Sequence, residues 1–218
     1  MAKVVSVTHA AALVNDGMTV MIGGFMGCGN AHKIIDALLA TPVRDLTVLC
    51  NDGGKPGFGV GRLVEDRRVR KLIATHVGLN PAVAELMNSG EMEVELVPQG
   101  SFVEKIRAGG AGLGGVLTPT GLGTLVAEGK RVITVDGKDY LLEPPLRADV
   151  ALINGFNIDT LGNVWYKGTT RNFNVWMATA ADLVIAEADH LVQIGDIKAE
   201  DVVTPGVLVD YIVDGGRL

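Results

Sequence analysis

The chain has 218 residues, 48% of them hydrophobic and 20% charged, with a net charge of −6. That is enough apolar material for the core of one domain spanning residues 1–218 and too little chain for two separate ones. The cations are scattered within an acidic whole, which excludes a nucleic-acid partner, and no run reaches the ~18 uninterrupted apolar residues of a membrane span. The opening Met1-Ala-Lys-Val-Val-Ser-Val-Thr-His9 carries one cation and an apolar stretch broken by Thr8 and His9, so no export signal is expected and a cytoplasmic location is. Cys28 and Cys50 lie in or beside glycine-rich, apolar surroundings, which suits reduced thiols, and neither has a His or Cys at ligand spacing, so no metal is expected.

In chain order, Thr19–Ile22, Leu46–Leu49, Arg70–Thr75 and Val94–Val97 read as short strands. Ala31, Ile34, Ile35, Leu38 and Leu39 share one face of a helix that stops before Pro42. Further helices are expected over Pro81–Asn88, with proline at a first helical position, and over Ser101–Ala108. The strand ends fall at Gly23, Asn51, His76 and Gln99, each separation long enough for a crossover helix, which is a repeating parallel βα rhythm. In such sheets ligands gather beyond the carboxyl ends of the strands, so these positions mark a candidate site.

The second half reads differently. A glycine-dense segment, Gly109–Thr124, is too glycine-rich for a helix interior and too apolar for a solvated linker, and reads as an ordered loop against another surface. Arg131–Val135, Asp136-Gly137 and Tyr140–Leu142 resemble a hairpin. Strands are expected at Val150–Ile153, Val164–Tyr166 and Leu183–Ala186, a helix near Asn174–Ala181, and a strand entering a turn over Val202–Gly206. The expected class is α/β: a mainly parallel sheet flanked by helices, with additional antiparallel strands in the C-terminal half.

The sharpest local feature is Asp16-Gly-Met-Thr-Val-Met-Ile-Gly-Gly-Phe-Met-Gly-Cys-Gly29, a strand, a glycine turn and a helix opening near Asn30. Such a turn lets backbone N–H groups approach a phosphate or amide, and the helix N-terminus favours an anion, although a bare strand-to-helix corner needs glycines too. The dinucleotide fingerprint fails because His32 stands at its third glycine, which disfavours a nicotinamide cofactor. Asn51 and Gln99 follow apolar runs, where an amide can donate to an oxyanion; taken singly, either is more often a turn residue, and their matching strand-end positions favour the oxyanion role. His76 stands at the same level without a metal partner. Ten glutamates are present, and Glu104, one turn beyond Gln99, is the one nearest that level; helix faces, strand edges and turns account for most, where solvated charge is the default.

The chain resembles the A (alpha) subunit of the family I CoA-transferases, the acetate/acetoacetate and butyrate–acetoacetate type, related to the N-terminal half of succinyl-CoA:3-oxoacid CoA-transferase. The carriers are Asp16-Gly17 through Gly23-Gly24-Phe25 and Gly29, Cys50-Asn51-Asp52, Val97-Pro-Gln-Gly100, Ile106–Gly112, Thr118–Gly121, Gly123-Thr124 and Arg171-Asn-Phe-Asn174, spread over nearly the whole chain. Ala31 stands where the family usually has proline, a departure that bears on acyl-group preference.

The resemblance implies CoA-binding by Gly24, Phe25, Met26, Gly27, Cys28, Gly29 and Asn30, and oxyanion support from Asn51 and Gln99. It implies a nucleophilic glutamate on a partner B subunit and ping-pong transfer of CoA between a short-chain acyl-CoA and acetate, butyrate or a 3-oxoacid. CoA and acyl-CoA would be substrates, with no permanently bound cofactor, in a hetero-oligomer holding two or more of each subunit. Two other readings stay open on the residues: a sugar-phosphate isomerase-like enzyme, which needs a carboxylate or lysine base at a strand end, and a non-catalytic CoA-binding regulatory protein.

Overall fold

A computed structural model describes residues 2–216. The chain opens with β1 (Lys3–Val5) and α1 (Val7–Ala11), whose N-cap Ser6 accepts from the His9 N–H. The parallel βα series follows: β2 (Thr19–Ile22), α2 (His32–Leu39), β3 (Leu46–Leu49), α3 (Gly61–Glu65), β4 (Val69–Ala74), α4 (Pro81–Ser89), β5 (Glu93–Leu96) and α5 (Gln99–Gly110). α4 is bounded as its sequence suggests: Asn80 caps the Ala82 N–H, Pro81 takes a position whose N–H has no helical partner, and Gly90 ends it at φ 76°.

The second half holds β6 (Val116–Thr118), β7 (Val132–Val135), β8 (Lys138–Glu143), β9 (Ala148–Asp159), β10 (Val164–Trp165), α6 (Asn174–Met177), β11 (Ala181–Val192) and β12 (Tyr211–Asp214). β6, β8 and β7 form a separate antiparallel sheet, with Asp136 and Gly137 at positive φ in the hairpin turn. β9, β11 and β12, by contrast, join the main sheet in parallel, and among the described residues only β10 runs against it.

Three expectations are corrected. α5 runs on through Gly109 and Gly110 because the missing side chains admit the Leu146 carbonyl and Thr179, contacts that a Cβ would block. α6 stops at Met177, since β11 begins at Ala181. Residues 202–206 form no strand; Thr204 makes one isolated bridge to Val164 before Pro205 turns the chain.

The main sheet runs β1-β12-β11-β9-β2-β3-β4-β5, with β10 on β9. Alternate residues feed opposite faces: Val20, Ile22, Val48, Leu72 and Leu152 pack with α1 to α4, while Met21, Leu49, Ile73, Ala151 and Ile153 pack with Phe102 and Ile106 of α5 and Met177 of α6. Burial on both faces is why these strands are continuous apolar runs. From β2 the chain moves outward to β3, β4 and β5, while β9 occupies the other flank of β2. The β2/β9 boundary is therefore the switch point where such sheets open a crevice, and the loop after β2 lies on it.

The small sheet is tied to the main body by charge. Glu143, fully buried on β8, receives Lys105 Nζ of α5 at 3.1 Å and Lys130 Nζ at 2.6 Å. Burial pushes this carboxyl up, but the two ammonium groups outweigh it and hold it below its ordinary value.

Candidate active site

The turn after β2 closes on itself. Phe25 and Cys28 exchange backbone hydrogen bonds of 3.0 and 2.8 Å around Met26 (φ 51°) and Gly27 (φ 84°), the pair of positive φ values that a I′ turn uses. Neighbouring elements pin the turn at every level. Asn172 Oδ1 accepts from the Gly24 N–H at 3.0 Å, and its Nδ2 donates to the Cys28 carbonyl. Asn174, fully buried, donates to the carbonyls of Gly29 and Thr170 and accepts from the Asn154 N–H of β9, so it bridges the switch point. Asp52 receives the Met26 N–H at 2.7 Å, the Gly54 N–H at 2.9 Å and Asn51 Nδ2 at 3.0 Å.

These bonds revise the picture of an open amide cradle. The N–H groups of Gly24, Phe25, Met26, Cys28 and Asn30 all donate within the protein, whereas those of Gly27 and Gly29 have no acceptor among the described residues. The anion expected at the α2 N-terminus is supplied by the chain itself: Glu187 of β11 accepts from Lys33 N–H at 3.2 Å and Ile34 N–H at 2.9 Å. Burial dominates this carboxyl and pushes it up to about 7, against the opposing pull of those two backbone bonds. Glu187 and Glu143 therefore depart from the solvated default for glutamates, whereas Glu104 is a partly exposed surface charge paired with Arg107.

The turn separates two cavities. The larger, about 560 Å³, is walled by Phe25, Gln99, Gly100, Val103, Phe173 and Trp176, with Thr169 and Asn172 at its polar side. The smaller, about 400 Å³, is bordered by Met26, Gly27, Cys28, Gly29 and Asn30 together with His32, Phe58 and Glu187. Of the segment expected to bind a ligand, Phe25 thus faces one cavity and residues 26–30 the other, while Gly24 is buried against the Asn30 amide.

Asn51 and Gln99 do come together. Gln99 Nε2 donates to Asn51 Oδ1 at 2.6 Å, and Thr75 Oγ1 supports the same oxygen at 3.2 Å. Only Gln99 reaches the cavity; Asn51 is 1% exposed and stands behind it. His76 bridges to Asp52 through the backbone, but its Nδ1 accepts from the Gly78 N–H, and it lines neither cavity.

Asp52, Asn172, Asn174 and Glu187 are the positioning residues that single-motif reading leaves out. One signal was available: Gly23-Gly24-Phe-Met-Gly27-Cys-Gly29 recurs as Gly53-Gly54-Lys-Pro-Gly57-Phe-Gly59 after the adjacent strand. The second copy makes the same bridge, Lys55 to Phe58, and the copies interlock: Phe58 covers Gly27, and Asn30 links the Gly23 carbonyl (2.6 Å) to the Val60 N–H (3.2 Å).

Residues 4–215 match the sequence profile of the family described as Coenzyme A transferase. Over 211 residues the chain is 51% identical to the acetate CoA-transferase subunit alpha of Escherichia coli K12, covering 97% of this chain and 96% of that one. It is 51% identical over 211 residues to the acetoacetyl-CoA:acetate/butyrate CoA transferase alpha subunit of Clostridium acetobutylicum, covering 97% of each. The glutaconate coenzyme A-transferase of Acidaminococcus fermentans shares the fold at a TM-score of 0.86 and 19% identity, over 97% of this chain and 75% of that one. The acyl-CoA transferase apoenzyme of E. coli O157:H7 does so at 0.84 and 22% identity, over 97% of this chain but only 46% of that one, so this chain spans less than half of it. With the family profile matched from residue 4 to residue 215, the chain belongs to the Coenzyme A transferase family.

Proposed function

We propose that this chain is the A (alpha) subunit of a transferase that moves CoA between a short-chain acyl-CoA and acetate, butyrate or a 3-oxoacid, completed by a B subunit that carries the nucleophilic glutamate. The observation carrying this reading is the Gln99 amide at an apolar cavity whose lining, among the described residues, holds no carboxylate. Donors without a nucleophile are half of a covalent catalytic site.

In this reading the partner's glutamate attacks the acyl-CoA carbonyl. The tetrahedral oxyanion collapses to an acyl-glutamyl anhydride and releases CoA thiolate. The thiolate then attacks the glutamyl carbonyl, giving a glutamyl-CoA thioester and freeing the first carboxylate; the acceptor carboxylate runs the same steps in reverse order. Gln99 keeps one Nε2 hydrogen for each oxyanion, because the other is held by Asn51. Asn51 is thereby a positioning residue, and its own Nδ2 is anchored on Asp52. Phe25 and Trp176, 44% and 39% exposed, narrow the cavity and exclude water as the partner docks. Of the segment Gly24–Asn30, residues 26–30 contact the pantetheine arm, with the Gly27 and Gly29 N–H groups as available donors, while Gly24 is buried behind them and Phe25 faces the other cavity. CoA is a substrate, no permanent cofactor takes part, and the assembly is a cytoplasmic hetero-oligomer with two or more of each subunit.

The test is CoA exchange between acetoacetyl-CoA and acetate, measured with this chain alone and with its B subunit added. Exchange only in the complex is expected; robust exchange by the single chain would overturn the reading.

A further inference from the structure

We infer that the 560 Å³ cavity is the acyl chamber of the transferase site, that Gly100, Val103 and Trp176 set the length of tail it takes, and that its uncharged walls reject tails ending in a carboxylate. The inference rests on the functional reading above and goes beyond it by assigning selectivity to residues of this chain.

The placement of Gln99 requires this if Gln99 serves the oxyanion. The acyl carbon bearing that oxygen then lies at Gln99, and its tail extends along the α5 face on which residues four apart stack. Val103 is four residues beyond Gln99 and lines the same cavity. Phe173, the residue before α6, and Trp176, within α6, form the facing wall, and Phe25 closes the side toward the glycine turn. Phe173 is fixed by contact with the core ring of Phe102 at 5.7 Å, whereas Trp176 stands half out of the surface. The wall is thus rigid on one side and open to redesign on the other.

Gly100 has a specific place in it. A Cβ added there meets nothing within 4 Å, and Gly100 borders both this cavity and the adjoining cleft between α5 and β6. Packing therefore leaves room for a side chain at Gly100, and a methyl group there would occupy the passage along which a longer tail runs. Charge supplies the second filter. Among the described residues, no Asp, Glu, Lys, Arg or His lines the cavity. A tail ending in a methyl group or a ketone loses little on entering, whereas a terminal carboxylate is stripped of water against Val103, Phe173 and Trp176 with no counter-ion.

The experiment uses the complex with the B subunit and measures kcat/KM for acetyl-, butyryl-, hexanoyl- and succinyl-CoA with isotopically labelled acetate as acceptor, so that label entering acetyl-CoA reads every donor, acetyl-CoA included. In the wild type, butyryl-CoA is expected to exceed succinyl-CoA by about 100-fold or more. Gly100→Ala should lower the butyryl-to-acetyl ratio about tenfold, and Trp176→Ala should raise the hexanoyl-to-butyryl ratio by a similar factor. Gly100→Ala sits in a helix with open space around it, so its folding is secure, and the opposite sign expected for Trp176→Ala separates chamber size from general damage. An active complex in which both ratios stay within about twofold of wild type, or which uses succinyl-CoA as well as butyryl-CoA, would overturn the chamber alone. A wild-type complex that transfers CoA from none of these thioesters would overturn the functional reading and the chamber with it.

Discussion

Gln99 Nε2 donates to Asn51 Oδ1 at 2.6 Å across a gap of 48 residues in sequence, joining the N-terminus of α5 to the segment that follows β3. The bond fixes which face of the Gln99 amide looks into the cavity. Gln99→Ala removes the cavity-facing donor and leaves Asn51 Oδ1 with a share of the Thr75 hydroxyl, whose shorter bond goes to the Asn51 carbonyl. Turnover of the complex is expected to fall about 10²- to 10³-fold, with assembly by size-exclusion chromatography unchanged. Undiminished turnover would remove Gln99 from the oxyanion role.

Asp52 organises both glycine turns through the Met26 and Gly54 N–H groups and the Asn51 side chain. Asp52→Asn turns an all-acceptor group into one that presents an NH₂ to some of these donors. A loss of about 2–3 kcal/mol is expected in thermal unfolding, with a raised KM for acyl-CoA. A variant as stable as wild type would show that the turns hold themselves.

Glu187 makes stability depend on pH in an unusual direction. Its folded value, raised to about 7 chiefly by burial, lies above that of the unfolded chain, so its contribution is full below about 4.5 and is lost as pH rises through about 7. The amount is roughly 3–4 kcal/mol. In Glu187→Gln this slope should vanish, seen as a difference in melting temperature between variant and wild type that changes from pH 5 to pH 8. A constant difference would refute the assignment.

Glu143 carries the opposite sign. Held below its ordinary value by Lys130 and Lys105, it contributes stability above about 4.5 that is lost as pH falls through its lowered folded value. Glu143→Leu strands Lys105, itself buried, and should cost about 3–5 kcal/mol in urea unfolding. Adding Lys105→Met should recover most of that, because the stranded charge is the source of the loss. Failure of the second change to restore stability would mean that packing, not charge, anchors the small sheet.

Within the parallel series, β2, β3 and β4 were legible because each is buried on both faces and so appears as an apolar run ending at a polar or glycine residue; β5 is a more exposed edge strand, and the short α3 was not expected from the sequence. The hairpin at Asp136-Gly137 was legible from its turn chemistry. β1 and β12 were not: they are edge-side strands of three and four residues, and their pairing with each other joins the two ends of the chain, a contact no local window contains. The strands at 148–159 and 181–192 were found only in their first halves, and their parallel direction depends on crossovers through irregular chain.

At the site, residue types along the sequence sufficed to place Gly24, Asn51 and Gln99 beyond the carboxyl ends of β2, β3 and β5, since strand ends follow from where apolar runs stop. Tertiary structure decided what each does there. The glycine turn spends most of its amides on itself and on Asn172 and Asp52, the helix anion site is filled by Glu187 from 154 residues away, and Asn51 stands behind Gln99. Those outcomes depend on which polar groups meet across the switch point, and a buried donor or acceptor takes the partner that the fold brings to it, whatever its distance along the chain.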